Sequence, residues 1–177
     1  MSAAGAGALG AVAWFTGLPS AGKTTLARRV QARLAGAGRA AVLLDGDEVR
    51  RALVPAPGYG EAERDRFYET LARLAALLAG QGLVVLVAAT AHRRAHRERA
   101  RALCSRFVEV WVAAPAGVCE ARDAKGLWAA ARAGAAPDLP GPGVAYEPPA
   151  RPEVVAQGGE DEAAAVEVVR RLEPGRA

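Results

Sequence analysis

The stretch Gly17-Leu18-Pro19-Ser20-Ala21-Gly22-Lys23-Thr24 fits the pattern GxxxxGK[ST], and its flanks restrict what the chain can fold into. An apolar run, Leu9 to Thr16, leads into it. A helical pattern over Lys23 to Ala35, with Leu26, Val30 and Leu34 spaced four apart, leads out. Strand, glycine-rich turn and helix together make an anion cradle. Glycines let the backbone wrap the anion, and successive N–H groups with the positive helix end then hold it. Residues 17 to 25, Thr25 included, are the expected contacts for triphosphate. Lys23 should reach the β- and γ-phosphates, and the Thr24 hydroxyl should hold Mg²⁺.

The same alternation continues along the chain. Ala40 to Leu44 reads as a short strand, followed by a helix reaching Leu53 and a loop holding Pro55, Pro57, Gly58 and Gly60. Glu61 to Ala79 reads as a long helix. Leu83 to Ala89 is continuously apolar, as a strand buried on both faces must be. A helix over His92 to Cys104, a strand over Phe107 to Ala113 and a helix opened by Pro115 follow. Val154-Val155 is the last strand and Asp161 to Leu172 the closing helix. These β-α-β units predict a three-layer α/β fold, one parallel sheet with helices on both faces, over a single domain of 177 residues. Asp123 to Pro152 breaks the pattern with Pro137, Pro140, Pro142, Pro148, Pro149 and Pro152. An irregular segment of this kind inside a compact domain reads as a functional lid.

Charge and cysteine content narrow the partners. The net charge is +4 and the isoelectric point about 9.6, which suits an anionic substrate. No basic stripe carries the interleaved aromatics that nucleic acid binding uses. The basic run from His92 to Arg101 reads as a solvated helix beside the site. Cys104 and Cys119 form no metal-ligand pattern and read as buried free thiols, which suits a reduced, cytoplasmic setting. The apolar N-terminus lacks a basic leader, so it reads as a tail plus a core strand, and no run is long enough to span a membrane.

Asp45-Gly46-Asp47 closes the second strand, and open α/β sheets gather ligands beyond their strands' carboxyl ends. An aspartate there can orient a hydroxyl nucleophile or hold a metal-bound water, and Asp47 could instead cap the following helix. Arg50 and Arg64 lie on the helices after this strand, where a guanidinium fork could clamp an anion. Lys125, at the start of the irregular segment, could close over phosphate.

Several stretches resemble the adenylylsulfate kinases, P-loop kinases that phosphorylate the 3′-hydroxyl of adenosine 5′-phosphosulfate. They are Trp14-Phe15-Thr16-Gly17-Leu18, Leu44-Asp45-Gly46-Asp47-Glu48-Val49-Arg50 and Phe107-Val108-Glu109-Val110-Trp111-Val112. The most specific is Val118-Cys119-Glu120-Ala121-Arg122-Asp123-Ala124-Lys125-Gly126-Leu127-Trp128, followed by Tyr146-Glu147-Pro148-Pro149. The resemblance covers about Val12 to Glu153. It implies an ATP- and Mg²⁺-dependent enzyme of sulfate assimilation, usually a homodimer. Asp47 would face the acceptor hydroxyl, and Thr24 with Asp45 would serve the metal. Arg50, Arg64 and Lys125 would bind the acceptor, under a mobile lid over about 122–143. The adenine clamp of the family falls on Tyr59 and Leu139.

The chain also departs from the family pattern. Phe67-Tyr68-Glu69-Thr70 stands where the family usually has Asn-Ile-Arg-Arg, Leu139 has no π face, and Ala91 replaces a serine proposed as a phosphorylated residue in some members. The last change excludes a phosphoserine step. These departures, read as clustering on the acceptor side, keep two alternatives open. One is a kinase of the same fold acting on another small hydroxyl acceptor, and the other is a nucleotide-binding module without catalysis.

Overall fold

The computed structural model describes residues 10–173. The strands β1 (Ala11–Thr16), β2 (Ala41–Asp45), β3 (Val84–Ala88), β4 (Phe107–Val112) and β5 (Val154–Ala156) form one sheet. Its order is β2-β3-β1-β4-β5 and every neighbouring pair is parallel. β1 lies at the centre and is buried on both faces. Ala11, Ala13 and Phe15 enter one core, while Val12 and Trp14 enter the other. The period of two along β1 therefore feeds two separate hydrophobic layers.

Two helices cover each face. On one lie α1 (Lys23–Gly36) and α7 (Glu162–Leu172), which bring Leu26, Val30, Leu34, Val168 and Leu172 into the core. On the other lie α3 (Glu61–Gly80) and α4 (Arg94–Leu103), which bring Phe67, Leu71, Ala75 and Ala100. Full burial of each leucine stabilises the fold by about 1.5–3 kcal/mol. Three short helices, α2 (Gly46–Ala52), α5 (Ala116–Ala121) and α6 (Leu127–Arg132), complete the described chain. The expected three-layer architecture is the observed one.

Register brings the working ends of the strands level. Phe15 pairs with Ala88 and with Val110, and Asp45 also pairs with Ala88. The phosphate loop after β1 and the acidic turn after β2 thus emerge at one edge. Gly22 starts α1 in the left-handed region at φ 97°, and a Cβ there would lie 2.6 Å from the Gly159 nitrogen. Both facts require glycine. Asp161 holds the opposing segment in place. Its carboxylate accepts from Ala164 N and from Gln157 N, each at 2.9 Å, and so turns Gly158-Gly159 against the loop.

Some expectations need correction. The basic run is not a solvated helix, because His92, His96 and Arg97 are all buried. Arg97 is 2% exposed, and its Nε donates to Glu109 Oε1 at 2.8 Å. Its Nη2 donates to the Glu147 carbonyl at 2.6 Å, and its Nη1 donates to the Ala91 carbonyl. The charge is buried because β4 supplies its counter-ion. The helix begins only at Arg94, since the His92 carbonyl accepts from Glu147 N at 2.8 Å instead of joining a helical ladder. Pro115 sits at the N-cap of α5, one position before its expected place. The irregular segment contains α6, held by Asp123, whose carboxylate accepts from the backbone N–H of Leu127, Trp128 and Ala129. Leu9 and the N-terminal tail lie outside the described residues. Cys119 is buried and Cys104 half-buried, both as free thiols.

Candidate active site

A cavity of about 960 Å³ opens at the carboxyl ends of the strands. Its nucleotide wall includes Pro19, Ser20 and Gly22 through Thr25. The other loop residues act from behind. Ala21 is fully buried, Leu18 packs on the core, and the carbonyls of Gly17 and Leu18 accept from Lys23 Nζ at 3.1 and 2.8 Å. Burial lowers the Lys23 ammonium to a pKa of about 8, against the opposing pull of Asp47 and Asp45. A half-buried cation whose hydrogen-bond partners among the described residues are neutral carbonyls is poised to exchange them for phosphate oxygens.

Asp45 and Asp47 divide their roles unlike the sequence alternative. The helix cap is Asp45, whose Oδ1 accepts from Asp47 N at 2.9 Å and Glu48 N at 3.2 Å. Its Oδ2 accepts from the Thr24 hydroxyl at 2.6 Å. That bond directs the hydroxyl proton away and leaves the oxygen lone pairs free. Asp47 is thereby released from capping, and its Oδ2 meets Lys125 Nζ at 2.5 Å. This bond raises the pKa of Lys125.

The far wall carries Arg50, Arg64, Tyr59 and Leu139, all predicted from the sequence and all on this cavity. Arg50 is buried against two rings, its guanidinium carbon 4.0 Å from the Phe67 centroid and 4.5 Å from that of Tyr59. Arg64 is also buried, with Nε unpartnered among the described residues, and burial lowers its pKa. The Leu139 carbonyl accepts from Gly143 N and Val144 N, which holds its backbone in a tight turn. Glu69, counted above with the acceptor-side departures, does not line the cavity. It pairs with Arg73 at 2.6 Å and Arg99 at 3.1 Å on the outer surface of α3.

Sequence reasoning overlooked four contributors to the site. Arg122 lines the cavity just before the Asp123 cap. Trp128 is buried, and its Nε1 donates to the Pro19 carbonyl at 3.4 Å, tying α6 to the phosphate loop. Gly159 and Glu160 reach the cavity from the turn after β5. The paired glycines 158 and 159 before a capped helix were the available signal.

A sequence profile described as adenylylsulphate kinase matches residues 9–157. The chain belongs to the adenylylsulphate kinase family. An adenylyl-sulfate kinase from Synechococcus sp. (strain JA-3-3Ab) is 43% identical over 154 residues, 87% of this chain and 88% of the relative. Among solved structures, a Mycobacterium tuberculosis APS kinase in complex with AMPPNP and APS superimposes with a TM-score of 0.86 at 36% identity. The match covers 92% of this chain and 97% of that one. A hexameric APS kinase from Thiobacillus denitrificans matches with a TM-score of 0.66 at 29% identity, over 94% of this chain and 29% of that one.

For a kinase of this family the donor set fits Mg²⁺. Thr24 and Asp45 offer hard oxygen ligands in contact with each other, beside a phosphate-binding loop. Mg²⁺ is ordinarily held by one or two such groups plus phosphate oxygens and water, not by a cage of side chains.

Proposed function

We propose that this protein transfers the γ-phosphoryl group of ATP to the 3′-hydroxyl of adenosine 5′-phosphosulfate. The products are ADP and 3′-phosphoadenosine 5′-phosphosulfate, the activated form used in sulfate assimilation. The observation that carries this reading is a single cavity with the phosphate loop at one end and Asp47, Arg50, Arg64 and Lys125 at the other.

The residues divide the work as follows. Lys23 leaves the Gly17 and Leu18 carbonyls for the β- and γ-phosphates. Thr24 and Asp45 would hold Mg²⁺, which when bound would neutralise charge on the phosphates. Asp47 accepts a hydrogen bond from the acceptor hydroxyl, aims its lone pair at the γ-phosphorus, and takes the proton as the new O–P bond forms and the bond to ADP breaks. Arg50, Arg64 and Lys125 offset the acceptor's anionic groups, and Tyr59 with Leu139 bounds its base. Residues 122–143 serve as the lid of one kinase domain, excluding water and limiting wasteful hydrolysis. Ala91 is fully buried and has no group that could carry phosphate.

The resemblance to kinases that are usually homodimers supports self-association into a homodimer, testable by light scattering. Among the described residues no helix is long and apolar enough to cross a membrane.

Mixing the protein with Mg-ATP and adenosine 5′-phosphosulfate should give ADP that depends on the acceptor and disappears in Lys23→Ala. Nucleotide binding without acceptor-dependent turnover would overturn the assignment. A second reading, another small hydroxyl acceptor, is favoured by one observation: Phe67 and Leu139 replace polar and aromatic groups on the acceptor wall.

A further inference from the structure

We propose that Phe67 is a positioning residue for the acceptor, its ring forming one side of an aromatic sandwich that holds Arg50 as a ready anion fork. The inference rests on the acceptor reading above. It concerns a residue at which this chain departs from the family pattern.

Four contacts fix the Arg50 guanidinium. Phe67 lies on one contact at 4.0 Å and Tyr59 on another at 4.5 Å, measured to the ring centroids. Nη1 donates to the carbonyls of Pro57 at 3.0 Å and Gly58 at 2.5 Å. The two rings and the two carbonyls leave the side chain little freedom to lose on binding. No acceptor among the described residues lies at hydrogen-bond distance from Nε or Nη2, although Arg50 is only 7% exposed. Arg50 lines the cavity, and Arg64 lies close enough to interact with it electrostatically. A buried guanidinium with unused donors beside a second cation suits a tetrahedral oxoanion, sulfate or phosphate, on the acceptor.

Core packing alone does not account for this arrangement. Phe67 does belong to the second core, at 3% exposure. Yet its ring also lines the cavity beneath a charged group, where an aliphatic residue of similar volume would fill the core equally well. What leucine cannot supply is the negative π face that attracts the cation. Tyr59 is 59% exposed, so it is the open partner of the pair and Phe67 the fixed one.

The test compares Phe67→Leu with Phe67→Tyr, each checked for a cooperative thermal transition. Two measurements follow. In ¹⁵N-arginine NMR spectra of the unliganded protein, the Arg50 Nε–H signal should carry a ring-current shift that Phe67→Leu reduces and Phe67→Tyr keeps. This measurement needs no activity, so it judges the sandwich even if the acceptor assignment fails in the wild-type assay. In steady-state kinetics, Phe67→Leu should raise KM for adenosine 5′-phosphosulfate by about 2- to 30-fold, the range that a cation–π contact of this kind gives. KM for ATP should stay unchanged, as should kcat, and Phe67→Tyr should restore the acceptor KM. In an Arg50→Ala background the Phe67→Leu effect should vanish. An equal effect in that background would mean that Phe67 touches the acceptor directly or only supports the core, and would overturn the proposal. So would an Arg50 signal indifferent to Phe67→Leu.

Discussion

Lys23 shows how one half-buried charge can be both poised and pH-limited. Its ammonium has a pKa of about 8 in the free protein, because burial outweighs the attraction of Asp47 and Asp45. Triphosphate would hold the proton and raise that value. Below pH 8 the lysine is charged in both states and contributes no pH dependence. Above it, binding must take up a proton, so Mg-ATP affinity should fall by up to about tenfold per pH unit. Titrations from pH 7 to 10 check this. Asp47→Asn should lower kcat by roughly 10²–10⁴, the usual worth of a general base, while leaving the dissociation constant for ATP unchanged in an equilibrium measurement. The loop residues were legible because each follows from a rule about phosphate. The division between Asp45 and Asp47 was not. Both aspartates close the same strand, and only the fold shows which one meets the first N–H groups of α2. Glu69 misled for a similar reason, since a departure in sequence carries no information about which side of a helix faces the ligand.

At the scale of elements, strands and long helices could be read from periodicity, and the short helix inside the expected lid could not. Leu26, Val30 and Leu34 announce α1 because burial repeats at its own pitch. α6 has six residues, too few for a period to register, and it exists because Asp123 satisfies its first N–H groups. Asp123→Ala should therefore destabilise α6 by about 1 kcal/mol, the usual worth of an N-cap. The expected readouts are a higher acceptor KM and faster acceptor-independent ATP hydrolysis. The turn after β5 supports the phosphate loop by close approach. A methyl at residue 159 would lie 2.8 Å from the Gly22 carbonyl oxygen and from Thr25 Cβ. Gly159→Ala should raise KM for ATP several-fold with little change in the acceptor KM, since the atoms displaced begin α1.

For the whole molecule, stability should depend on acidity through the core of the α3–α4 layer. His92 is buried, and burial lowers its pKa to about 4, below the ordinary 6.5 of an unfolded chain. The unfolded state thus binds the proton first. The neutral histidine is fully tolerated above pH 6.5, and stability is lost as pH falls from there towards 4, by about 3 kcal/mol. Urea unfolding at pH 7 and pH 4.5 should show the loss, and His92→Gln should reduce it. Arg97 tests the same layer from another side. Arg97→Met would leave buried Glu109 only its longer pair with Arg101, at 3.6 Å, and should cost about 3 kcal/mol, seen as a lower melting temperature. Neither effect is visible in composition, where these residues are only members of a basic run.

The pinning of Trp128 to the Pro19 carbonyl has a consequence for traffic through the site. The same stretch, the proposed lid, carries Lys125, which is largely exposed and, among the described residues, held by Asp47. One stretch of chain is thus a hinge pin at the donor end and a loose latch at the acceptor end. In the proposed reaction, releasing the latch would open the acceptor end while the donor's berth keeps its wall, so the acceptor and its product would exchange through one door and the nucleotide through another.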